Sequence, residues 1–141
     1  MMTATLKAFI VAASLWINAH TGLPPLTEVP RIEQRTSTEL FVMMYKDDKD
    51  ADKYDIMAVT AYDTIYLRNT FDERDILDLS ILVHELVHVM QNLSDVEYAC
   101  IIENEQEAYE LQRKWLAQNG VNYYDSFDML YYQAIQDASC P

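Results

Sequence analysis

The chain has 141 residues, half of them hydrophobic, with only two glycines and four prolines; it is long enough for one domain with its own core and carries no signature of disorder or fibre. Twenty-three acidic side chains against ten basic ones leave a net charge of -13, which argues against nucleic acid as a partner because a polyanion is repelled and no Lys/Arg stripe offsets this. No apolar run reaches the ~18 residues that a membrane-spanning helix needs.

The first twenty residues carry two readings. Lys7 followed by the apolar stretch from Ala8 to Ile17 has the layout of a signal peptide, which implies export. Leu6, Phe9, Ile10, Ala13, Trp16 and Ile17, however, recur at helical spacing and predict an amphipathic helix of a cytoplasmic or mature exported chain. Thr21 to Pro30, with three prolines and Gly22, reads as a loop. Glu39 to Tyr45 is a strand candidate. The mixed-charge run Lys46 to Lys53 reads as a solvated loop and lacks the glycine and closing glutamate of a calcium loop. Ile56 to Tyr62 and Thr64 to Leu67 flank Asp63 and predict two short strands in a hairpin.

A second helix, about Asp75 to Leu93, carries His84-Glu85-Leu86-Val87-His88, an H-E-x-x-H string that uses two of the three histidines. At about 100° per residue, positions i and i+4 lie roughly 40° apart, so both imidazoles can reach one metal ion. Glu85 falls beside them, placed to act as general base on a water held there. The apolar residues of this helix cover most of its circumference, so the polarity of His84, Glu85, His88, Gln91 and Asn92 is buried and must be satisfied. Zn²⁺ with a water is one way to do so. Gln91, Asn92 and Gln112 are candidates to orient the ligands.

A catalytic zinc needs a third protein ligand. Gln91 and Ser94 occupy the positions where the longer metzincin motif has a glycine and a histidine, and no histidine follows His88. The candidates lie in a third helix, about Val96 to Asn119, closed by Gly120. On its wheel Glu105 falls among Ile101, Ala108, Tyr109, Trp115 and Leu116, where an ionised carboxylate is costly unless it meets a cation. Glu103, Glu107 and Glu110 fall on the solvent side. Glu105 is therefore the preferred third ligand, with Glu107 and Glu103 as alternatives and Cys100 behind them. Cys100 and Cys140 are either two buried thiols or one disulfide of an oxidising compartment.

His84-Glu85-Leu86-Val87-His88 followed by Asn104-Glu105-Gln106-Glu107-Ala108-Tyr109 resembles the gluzincin, or thermolysin-like, zinc metallopeptidases, and the chain from Thr38 to Gln118 is similar to small uncharacterised bacterial and phage proteins of this layout. The resemblance implies a single zincin-like domain over residues 1–141, α+β and mainly helical, with a short antiparallel sheet beside the active-site helix. It also implies that the edge strand, here Thr64 to Leu67, holds an extended peptide or protein substrate. Large members use an additional histidine as transition-state donor; here a tyrosine is the candidate to donate instead, Tyr109 first, then Tyr66, Tyr123, Tyr124, Tyr131 or Tyr132. The expected function is peptide hydrolysis, with a zinc-stabilised binding or regulatory protein as the alternative and a helical protein binding a basic partner as a third reading.

Overall fold

The structure, a computed structural model, describes residues 2–45, 56–122 and 129–141. Helix α1 (Ala4–Thr21) starts at Thr3, whose hydroxyl accepts the Leu6 N–H, and stops at Gly22, whose left-handed backbone (φ 77°) returns its N–H to Asn18 O. Leu6, Ile10, Ala13 and Ile17 of the expected stripe are buried, and Phe9 meets Trp115 edge-to-face at 5.7 Å. The following loop is tied back where Ser14 accepts the Leu26 N–H at 2.8 Å.

Residues 31–35, not expected as an element, form β1 (Arg31–Arg35). The stretch expected as a strand at Glu39 to Tyr45 is instead helix α2 (Ser37–Tyr45). The reason is local: Thr36 Oγ1 accepts the Glu39 N–H (3.1 Å) and Glu39 Oε1 accepts the Thr36 N–H (3.0 Å), a capping box that starts a helix despite the β-preferring Phe41 and Val42. The charged run Lys46 to Lys53 lies outside the described residues.

The expected hairpin is present as β2 (Ala58–Ala61) and β3 (Thr64–Arg68), paired antiparallel. Its turn holds Tyr62 in the left-handed region (φ 52°), an uncommon backbone for a non-glycine residue. β1 pairs with β3 in parallel, so the sheet is mixed and its order is β1-β3-β2. This corrects the assignment of Thr64 to Leu67 as the edge: β3 is the central strand, because the unforeseen β1 covers its other side. Among the described residues the two edges are β1 and β2, and β2 is the one that lies against helix α3 (Ile76–Leu93). Arg68 N–H donates to Met57 O, so residues 57, 59 and 61 turn their backbone groups toward β3, and by alternation Ala58 and Thr60 turn theirs outward.

Helix α3 (Ile76–Leu93) is capped by Asp75, which accepts the N–H groups of Leu77 and Asp78. Its Leu82, Val83, Leu86, Val87, Val89 and Met90 are buried, together with Ile65 and Leu67 of β3 and Leu111 and Leu116 of helix α4 (Ile101–Gln118). The α4 helix starts later than its apolar pattern suggests, because Glu103 reaches back to the Ala99 N–H and fixes the boundary. At its other end Gly120 (φ 76°) and Val121 close on Ala117 O and Leu116 O, a Schellman turn. Helix α5 (Met129–Asp137) packs on α4, and Cys100 is joined to Cys140 by a disulfide. The molecule is thus α+β and mainly helical, with one small mixed sheet. Among the described residues, no helix is long and apolar enough to cross a membrane.

Candidate metal centre

One turn of α3 and the first turns of α4 bring three ligand atoms together. His84 Nε2 lies 3.1 Å from His88 Nε2 and 3.4 Å from Glu105 Oε1, and His88 Nε2 is in direct contact with the same carboxylate oxygen. These three residues form a group that could hold a metal ion. Ligands 2.0–2.1 Å from a tetrahedral zinc stand about 3.3 Å apart, so the His84 separations match that geometry.

The Nδ1 side of each imidazole meets an amide oxygen, the arrangement that ligation through Nε2 requires. His84 Nδ1 donates to Gln112 Oε1 at 3.0 Å; Gln112 Nε2 donates to Ser80 Oγ, whose own hydroxyl is committed to Leu77 O. His88 Nδ1 donates to Gln91 Oε1 at 2.9 Å. The Gln91 amide cannot be turned over, because its nitrogen faces two acceptors, Asn104 O and Glu107 Oε1. Each Nε2 is thereby left for the ligand pocket. Glu107 accepts a further hydrogen bond from the Tyr98 hydroxyl at 2.6 Å. The alternative ligands therefore do other work: Glu107 supports Gln91, Glu103 caps α4, and Cys100 is held in the disulfide.

Burial acts on His88 most strongly and disfavours its cation, but the hydrogen bond to Glu105 and the charges of Glu85 and Glu105 outweigh it and hold the pKa up at about 9. Burial raises Glu105 in the same way, and the hydrogen bonds to His84 and His88 reverse it, leaving that carboxyl well below the usual range. Both shifts describe one shared contact, and the proton held there is what a metal must displace.

Glu85 is buried, with Oε2 3.9 Å from His84 Nε2 and Oε1 accepting the Thr60 hydroxyl at 2.9 Å. Tyr109 lies edge-on to His84 with ring centroids 4.4 Å apart. Asn92, expected to orient a ligand, instead donates to Tyr62 O and steadies the hairpin turn. Tyr66 belongs to β3, where the Arg35 guanidinium lies over its ring, and Tyr132 donates to Glu110. Tyr123, Tyr124 and the Tyr131 side chain lie outside what is described. His20 sits on α1, bonded to Trp16 O and stacked on the Trp16 ring. Sequence reasoning missed Thr60, Ser80 and Tyr98. Only Ser80 left a trace, as a polar residue one turn before His84 on a helix apolar almost all round.

The sequence model of a family described as a domain of unknown function (DUF6647) matches residues 3–141. The chain belongs to the DUF6647 family. No curated protein and no solved structure matches it. The family description assigns no chemistry, so any functional reading of this DUF6647 domain rests on the site itself.

Proposed function

We propose that the chain is a zinc metallopeptidase in which His84, His88 and Glu105 hold Zn²⁺ and Glu85 is the general base. The observation that carries this reading is the convergence of His84 Nε2, His88 Nε2 and Glu105 Oε1 on one point, with the Glu85 carboxylate beside it. Two neutral imidazoles and one carboxylate suit zinc, and the fourth position is left for water or substrate. When bound, the metal polarises the scissile carbonyl and makes its water a competent nucleophile near neutral pH. Glu85, with Oε2 turned toward His84, would accept a proton from the attacking water and return it to the leaving amine. Ala58 and Thr60, on the outward side of β2, pair with the backbone of an extended peptide. Tyr109 is assigned as the donor to the developing oxyanion. The disulfide fits an oxidising compartment, and an exported enzyme is part of this proposal.

A second reading has its own support. His20 is engaged on α1, so no third imidazole is at hand to stabilise an oxyanion. A zinc-stabilised binding protein would keep every ligand and cut nothing. Metal analysis of the purified protein with a peptide-hydrolysis assay separates the two. The peptidase reading expects one zinc per chain and at least a hundredfold loss of turnover in Glu85→Gln with the zinc retained. Zinc without cleavage moves the assignment to the binding protein, and absence of zinc removes both.

A further inference from the structure

The contact between β2 and Glu85 reaches beyond the metal ligands. Thr60 Oγ1 lies 2.9 Å from Glu85 Oε1 and 3.3 Å from Glu85 O. A hydroxyl has one proton to give, and the shorter, charge-assisted bond to the carboxylate takes it. That bond occupies Oε1 and turns Oε2 toward His84. Glu85 is buried, and Thr60 is the side-chain donor that meets its carboxylate from the sheet. The same residue has its backbone N–H and C=O on the outward side of β2.

We infer that Thr60 is a positioning residue that holds the Glu85 carboxylate at its working angle and links substrate docking on β2 to the general base. This rests on the peptidase reading above. A substrate strand that pairs with Thr60 fixes the Thr60 backbone, and through the hydroxyl it fixes the base at the moment the scissile bond arrives. Carboxylate placement matters at this scale, because an error of about 1 Å in a reacting group costs up to about a hundredfold in rate. Valine is the matched replacement, since it keeps the shape of threonine and removes only the donor; serine keeps the donor and removes the methyl.

The test compares wild type, Thr60→Val and Thr60→Ser in the zinc-loaded protein. A fluorescence-quenched peptide is the substrate, and zinc content and melting temperature are measured on the same samples. The expected result is a fall in kcat of about ten- to a hundredfold in Thr60→Val, with KM and one zinc per chain unchanged, and recovery to within about threefold in Thr60→Ser. A crystal structure of metal-free Thr60→Val provides a readout that does not depend on turnover: the Glu85 carboxylate leaves its present position. Wild-type turnover in Thr60→Val, or a Ser variant as impaired as the Val variant, overturns the assignment while leaving the peptidase reading in place. A wild type that binds zinc but cleaves nothing overturns both.

Discussion

The two helices that meet at the candidate metal centre are held in different ways. Around His84 and Glu85, α3 is fixed by apolar packing, with Leu82, Val83, Leu86 and Val87 all at 0% exposure. The first turns of α4, which carry Glu105, have no such support: Ile101 is 77% exposed and full burial begins only at Ala108. What fixes them is polar or covalent. Gln91 binds Asn104 O and Glu107, Gln106 donates to Ile135 O and Ala138 O at the end of α5, and the disulfide ties Cys100 to Cys140. His84 and His88 are thus set by the core, and Glu105 by a polar and covalent brace.

The contrast can be broken most forcefully from the α3 side. Leu86→Ala leaves a cavity at the centre of the core and should cost about 2–5 kcal/mol, whereas Ile101→Ala on α4 should stay within about 0.5 kcal/mol; urea unfolding measures both. Next comes the brace. Replacing both cysteines with serine should cost up to about 4 kcal/mol, the entropy of a loop this long, with most of the lost hydrogen-exchange protection in α4 and α5 and little in α3. Equal loss in α3 would show that the two helices are not separable.

Smaller changes address affinity. Gln91→Leu should weaken zinc binding by about 10–100-fold in a chelator competition, and by more than Gln112→Leu, because Gln91 holds both His88 and the α4 backbone while Gln112 holds only His84 and Ser80. The pH dependence follows from the raised His88 value. Below about 9 the metal has to displace that proton, so apparent zinc affinity should fall by about tenfold for each unit of further acidification. In the metal-free protein the sign is opposite on the alkaline side. Stability from the His88–Glu105 contact is fully present below the unfolded histidine value of 6.5 and is lost as pH rises through about 9. On the acid side it is lost below the unfolded glutamate value of 4.5, as pH falls through the depressed value of Glu105. Thermal melts of chelator-treated protein across that range check both limbs.

Local chemistry explains what could be read in advance. The α1 stripe and the i, i+4 histidines are consequences of helical period, and the wheel of the third helix singled out Glu105 because a carboxylate on the face of Ala108, Tyr109, Trp115 and Leu116 demands a partner; Ile101, placed on the same face, is exposed because the core does not reach the first turn of α4. Helix α2 was readable in principle, since Thr36 and Glu39 stand at capping-box spacing, but the β-preferring run after them masked it. β1 and the order of the sheet were not readable, because strand pairing is a choice among distant segments that no local period encodes. Thr60 fell into the same class. Its role depends on β2 lying against α3, which nothing near position 60 announces.

The mixed sheet also has a history in time. β3 meets β2 across a two-residue turn, whereas its parallel partner β1 lies well upstream, with α2 between them. Hairpins close in microseconds, while distant parallel pairing is slow and costs more loop entropy. During folding, the side of β3 that β1 will cover, with Ile65 and Leu67 beside it, is therefore exposed as an unpaired edge. A mutation that delays β1 should first appear as aggregation during refolding rather than as a less stable native state.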